Sequence, residues 1–353
     1  MINGAQIFIH FPIFNVVFPS FSQIFIDNLV TIATFDIFDP TWVFGERESA
    51  DDAIVERSRY EKAGYSSGIF IFNMGALFIT LVIMLLMPLL LMVYSRFKNR
   101  FPWCQRKHVA LGDALRGNMW LRFIMEANLD ISVAGAINLT IIMQQGFVAF
   151  KSWFDIMNTI FLFTLISIVA IFPFAILFFY LKNLDKWGDE KFQERYGAPF
   201  EGLDKEKKSI VVYPFTFCVR RLLLTAAIVF FNEHFFIQMA STLVLSTIQI
   251  WYLGDYRPFE ELLVLRLEIF NEVTTIILVY ILMFFSAANA ASVDSEMSID
   301  ILFATFLVGN LCVHLFFLLW DICHNMKLKY RQRQFRKNQD EARQAKKRAQ
   351  FYL

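Results

Sequence analysis

The sequence predicts an all-α membrane protein: a bundle of about seven transmembrane helices, with an N-terminal amphipathic segment and a basic C-terminal helix. Three observations carry this. Hydrophobic residues make up 57% of the 353 residues and charged ones 18%, against roughly 45–50% and about 25% in soluble domains. The apolar excess is gathered in blocks of about 20 residues, the length a helix needs to cross the hydrocarbon core. Between the blocks, Lys and Arg fall almost entirely on alternate connections. Backbone groups in lipid must be satisfied internally, and such blocks achieve this as helices. Strands of a β-barrel would be short and alternating instead.

Residues 1–68 form an extracytosolic apolar or amphipathic segment and loop. Pro12, Pro19 and Pro40 interrupt it. Over 20–35, Phe21, Ile24, Phe25, Leu29 and Ile32 share one helical face, while Ser22, Gln23, Asp27, Asn28, Thr31 and Thr34 supply the polar side. That pattern predicts a helix lying on a membrane or a bundle, too polar to span. Residues 45–67 are charged and read as an exposed loop. The membrane domain is 69–322, with spans at about 69–94, 120–150, 154–181, 210–231, 235–253, 266–288 and 301–322. Pro88 and Pro173 fall inside the first and third spans. Asn232, Glu233 and His234 make a tight hairpin, and Asp294, Glu296 and Asp300 an acidic loop. Residues 323–353 are a basic cytosolic tail.

Counted connection by connection, Lys and Arg divide about 25 to 1, the lone exception being Lys151. An even number of spans would put basic segments on both sides. The division therefore predicts an odd count, the N-terminal region outside and the C-terminus in the cytosol.

Eight charges fall within the first halves of spans two, four and six: Arg122, Glu126, Asp130, Arg220, Arg221, Arg266, Glu268 and Glu272, with Asn271 beside the last. Arg122, Glu126 and Asp130 lie four residues apart on one helical face. At mid-bilayer each charge would cost about 2.5–3.5 kcal/mol, so they should pair or face a cavity. The expected arrangement is a shared polar layer, with Arg220 and Arg221 opposite Glu126, Asp130, Glu268 and Glu272, able to bind or gate an ion. The bland alternative makes 113–129 an interfacial helix, with the span at 131–150 and Arg122 and Glu126 solvated; Arg266 and Glu268 would then sit at headgroup depth. Arg220, about 15 Å from either end of its run, is hardest to place that way.

Lys327, Lys329, Arg331, Arg333, Arg336 and Lys337 in the tail suit anionic lipid headgroups. His314, Cys312, Asp321, Cys323 and His324 match no metal-ligand spacing. No phosphate loop, nucleophile elbow, kinase signature or HExxH is present. No enzyme, metal, cofactor or nucleic-acid partner is expected. The partners are the bilayer, anionic lipids at its cytosolic face, and a homo-oligomer or larger membrane complex.

Several strings carry a resemblance: INGAQIFIHFPIFNVVFPS (2–20), IATFDIFDP (32–40), RYGAPFEGL (195–203), RRLLL (220–224), YRPF (256–259) and LEIFNE (267–272). Together they resemble the C-terminal membrane module of large ciliate-type surface proteins, loosely labelled transient-receptor-potential-like. The resemblance implies a multi-helix bundle in the plasma membrane, moving an ion or solute, without catalytic residues. Channels properly of that name have six spans and a re-entrant pore loop before the last; the last connection here is too short for one. Two other readings stand beside a channel- or transporter-like protein: a structural anchor or subunit of a larger complex, and a seven-helix receptor.

Overall fold

The computed structural model describes residues 7–16, 18, 20–34, 59–65, 67, 69–97, 99–115, 118–145, 153–187, 189–288 and 293–351. Among them the chain is helical, with a single isolated bridge between Leu203 and Phe259. The main helices are α1 (Ser20–Thr34), α2 (Gly75–Phe97), α3 (Pro102–Leu115), α4 (Asn118–Gln145), α5 (Trp153–Lys182), α6 (Tyr213–Phe230), α7 (Phe235–Tyr256), α8 (Leu262–Ala288) and α9 (Val293–Phe351).

Six stretches are long and apolar enough to cross a membrane: Leu77–Phe97, Trp153–Lys182, Ile210–Phe230, Phe235–Tyr256, Leu262–Phe284 and Met297–His324. Their outward faces are greasy. Leu85, Leu89 and Met92 on α2 and Ile171, Phe174 and Phe178 on α5 are exposed. A protein in water seldom leaves such a continuous apolar surface uncovered. The chain is a multi-pass integral membrane protein.

The expected second span behaves differently. Helix α4 forms, but Arg122, Glu126 and Asp130 dilute its hydropathy, and it is absent from the six. It lies inside the bundle, packed on α5 and α6, with every residue from Ile131 to Asn138 buried. The small residues Ser132, Ala134, Gly135 and Ala136 permit that depth: a Cβ on Gly135 would collide with Ile166 of α5. At about 1.5 Å per residue α4 is about 42 Å long.

Two local expectations need correction. The first span is not one run. A short helix, Phe70–Asn73, ends at Met74, and Gly75 (φ 41°), the first residue of α2, takes the left-handed conformation. Asn73 and Asn158 hold the break: Asn73 Nδ2 donates to Ser67 O at 2.6 Å, and Ile71 N donates to Asn158 Oδ1 at 3.1 Å. Helix α1 exists where periodicity places it, but Phe21 and Ile24 point away from the bundle while Ser22, Ile26 and Val30 are buried. The Asp300 carboxylate sets that roll. It accepts from Phe21 N at 3.2 Å, from Ser22 N at 2.9 Å and from the Ser22 hydroxyl, satisfying donors that a helix start leaves open. The 45–58 loop, most of IATFDIFDP and the end of span two (146–150) lie outside the described residues.

The two ends of the bundle are built differently. At one end the connection after α5 forms a cap. Asp204 N donates to Pro258 O at 2.8 Å and Glu260 N to Gly202 O at 3.1 Å, clipping 202–204 to 258–260. Tyr180, Trp187 and Phe200 meet edge-to-face beneath it, with Phe200 at 4.5 Å from both partners. At the other end lies the hairpin between α6 and α7. There residues 7–16 enter the bundle, and Phe8, Phe11, Ile13 and Phe14 are completely buried.

Candidate functional site

Helix α6 carries two adjacent arginines at its middle. Consecutive residues on a helix point about 100° apart, so the two must find different neighbours. Arg220 turns to α8. Its Nη1 and Nη2 donate to Glu272 Oε1 and Oε2, each at 2.5 Å, in a two-pronged pair. The side chains are 11% and 3% exposed. Ser246 of α7 adds its hydroxyl at 3.4 Å from Arg220 Nη2. A planar guanidinium matches both carboxylate oxygens at once, which suits Arg to a desolvated pair.

Arg221 turns to α4. Its Nη1 donates to Met125 O at 3.0 Å and Glu126 O at 3.4 Å, and its guanidinium lies 4.1 Å from the centre of the Phe217 ring, one turn back. Asp130, one turn further along α4, is held from the other side by His10, whose Nε2 is 3.8 Å from Asp130 Oδ1 and 2.8 Å from the Tyr65 hydroxyl. Burial, then the charge of Asp130, pushes the Tyr65 hydroxyl well above its ordinary pKa and keeps it protonated.

Beside Glu272, Asn271 faces α9. Its Oδ1 accepts from Asn310 Nδ2 at 3.2 Å and meets His314 Nε2 at short range. Asn271 and Asn310 are fully buried. Among the described residues Asn271 Nδ2, Asn310 Oδ1 and His314 Nδ1 have no hydrogen-bond partner, and neither does either amide atom of Asn128 on α4.

The layer expected from the sequence is thus partly assembled. Arg220 and Glu272 are joined, Arg221 and Asp130 are neighbours on facing helices, and Glu268 is buried one turn before Glu272. Three members stand apart. Arg122 pairs with Glu201 of the cap, both exposed. Glu126 contributes its backbone carbonyl while its side chain is exposed, and Arg266 is exposed. The reason is depth. The start of α4 lies level with the cap, since Asn118 Oδ1 accepts from Ala198 N at 2.9 Å, so Arg122 meets the cap's exposed Glu201 while Leu121, Ile124 and Met125 pack on the apolar cluster beneath it. In the tail, Lys327 and Arg331 are exposed on α9; the side chains of Lys329, Arg333, Arg336 and Lys337 lie outside the described residues.

His10, Tyr65, Asn310 and His314 were not grouped with these charges by sequence reasoning. Asn310 and His314 lie four residues apart on one apolar helix, a signal that could have matched them to Asn271. His10 offers no comparable signal. A narrow crevice borders the arginines, lined by Ile7, Phe217, Arg220, Arg221, Leu224 and Gln249. The whole crevice has room for about one water. The quoted strings converge in pairs: RRLLL meets LEIFNE through Arg220 and Glu272, and RYGAPFEGL meets YRPF through the Leu203–Phe259 bridge. No family model, no curated protein and no solved structure matches the chain.

Proposed function

We propose that the chain is a channel- or transporter-like membrane protein of seven spans, with α4 the seventh, in which the Arg220–Glu272 pair closes the path of an ion. The observation that carries this is the pair itself: a guanidinium and a carboxylate desolvated at mid-length of spanning helices, next to a crevice. Charges at that depth are expensive, and they mark ion pathways more often than packing. The Lys and Arg residues of the cap and tail support an orientation with the C-terminus in the cytosol; Asp294, Glu296 and Asp300, expected in a loop, fall in the first turns of α9 at the opposite end, and the resemblance to ciliate-type surface modules supports the plasma membrane. Exposed Lys327 and Arg331 support contact with anionic headgroups.

The test is ion flux into liposomes holding the purified protein. Wild type should conduct slowly, and Glu272→Gln, which cannot hold the arginine by charge, should change the rate severalfold. The reading fails if no ion moves in either protein and the substitution alters only the melting temperature.

A second reading, a structural subunit whose ion pair fixes helix register, is favoured by the tightness of the crevice. Under it, Arg220→Met with Glu272→Leu should leave the protein folded and still bound in whatever complex it co-purifies with. Loss of assembly in that folded double variant would count against it.

A further inference from the structure

Residues 7–16 run as a helical end over 7–9, a turn at His10 and a short helical turn over Phe11–Ile13, and they penetrate from the hairpin end to the polar layer. Asn15 marks the entrance: its N donates to Gln238 Oε1 at 2.9 Å and its Nδ2 to Glu233 O at 3.2 Å, at the mouth between α6 and α7. Five residues deeper, His10 reaches Asp130, near the middle of α4. Ile7 lines the crevice with Arg220 and Arg221. Between these points Phe8, Phe11, Ile13 and Phe14 fill the space among the helices, with Phe11 stacked toward Phe303 of α9 at 6.4 Å. Irregular backbone at membrane depth survives only where protein surrounds it or water fills a cavity beside it.

We propose that residues 7–16 are a tethered plug, an intramolecular occupant that seals the hairpin-end half of the bundle over the Arg220–Glu272 pair and can withdraw without unfolding the helices. Three features separate it from permanent core. The main-chain bonds that shape it run within the segment itself, His10 N to Ile7 O, Ile13 N to His10 O and Phe14 N to Phe11 O, so its withdrawal breaks none of the ladders of α1 to α9. Two polar side chains attach it, Asn15 at the mouth and His10 toward the inner end. The wall behind the tip is polar: the Asp130 side chain keeps 36% of its surface accessible although it contacts the segment, and next to it Arg221 and Arg220 line a crevice with room for about one water. A permanently packed core would place apolar side chains there. The proposal concerns movement of the segment and holds whether or not the bundle conducts.

The experiment uses the full chain in liposomes, with the four native cysteines replaced by alanine and one reporter introduced: Phe11→Cys in the segment or Leu162→Cys in α5. Both positions are fully buried. A charged, membrane-impermeant thiol reagent is applied to both sides. Phe11→Cys should react at least about tenfold faster than Leu162→Cys, the difference expected when one element opens locally. Adding Asn15→Ala should accelerate Phe11→Cys further and leave Leu162→Cys protected. Equal, slow labelling of the two reporters in both backgrounds would overturn the plug and make the segment fixed core. Rapid labelling of Leu162→Cys in the Asn15→Ala background would also overturn it, because the whole bundle would then be opening. Flux measured on the same liposomes separates the two ideas: a labelled, mobile segment without flux defeats transport alone, and flux with a protected segment defeats the plug alone.

Discussion

The cap and the hairpin end close the same bundle by opposite means. At the cap, two connections are clipped by main-chain bonds, Asp204 to Pro258 and Glu260 to Gly202, over an aromatic cluster that includes Tyr180, Trp187 and Phe200. Releasing it requires several elements to separate together. At the hairpin end a single segment enters, anchored by individual side chains. Cooperative closure resists local opening, and a closure made by one short segment permits it. The ion pair sits between the two and belongs to neither.

The largest effect is therefore expected at the divide itself. Glu272→Ala leaves Arg220 charged and unpaired in the interior, a loss of about 3–5 kcal/mol, read as a fall in melting temperature in detergent. Arg220→Met with Glu272→Leu should recover most of that loss; a double variant as unstable as the single would show that shape, not charge, decides. Next comes Phe200→Ala, which empties the middle of the cap cluster. A buried aromatic lost this way costs about 3–5 kcal/mol, and the drop should appear as global unfolding. Local fraying of the cap alone would break the contrast drawn above. At the other end Asn15→Ala should remove about 1 kcal/mol, and hydrogen exchange should rise in residues 7–16 while α4 stays protected.

Two smaller effects lie on the cap surface. Arg122→Ala breaks an exposed ion pair with Glu201 and should change stability by at most about 1 kcal/mol; a larger loss would return Arg122 to the interior layer. Lys207, donating to the Asp204 carboxylate, and then the Glu206 N–H hold Asp204 below its usual pKa. A depressed folded-state value means the contribution is present above the unfolded carboxylate pKa and disappears as pH falls through the folded one. Wild type and Asp204→Asn should thus converge in stability on acidification below about pH 4, and a constant gap between them would exclude this assignment.

Legibility followed the physics of each part. The six apolar runs were readable because lipid imposes both length and composition on a helix that faces it. Arg220 and Glu272 were readable because a charge far from both ends of such a run has few ways to be satisfied. Helix α4 shows the limit. Surrounded by protein, it is freed from the hydropathy rule, so the same charges fit a buried helix or an interfacial one until its neighbours are known. The cap lies beside the early turns of α4, and its Glu201 pulled Arg122 out of the layer. Residues 7–16 are too short and too interrupted by Pro12 for any periodicity, so nothing local could place Phe11 against Phe303 or His10 against Asp130. The roll of α1 was likewise set from a distance, by one carboxylate of α9.

That carboxylate joins two levers. Helix α9 is a continuous rod of 59 residues, about 88 Å from tip to tip, and its basic part projects beyond the bundle on the cap side. Near its opposite tip Asp300 grips the first turn of α1. Because both groups stand on one helix, a displacement imposed on the basic half of α9 has a direct route, through Asp300, to the first turn of α1.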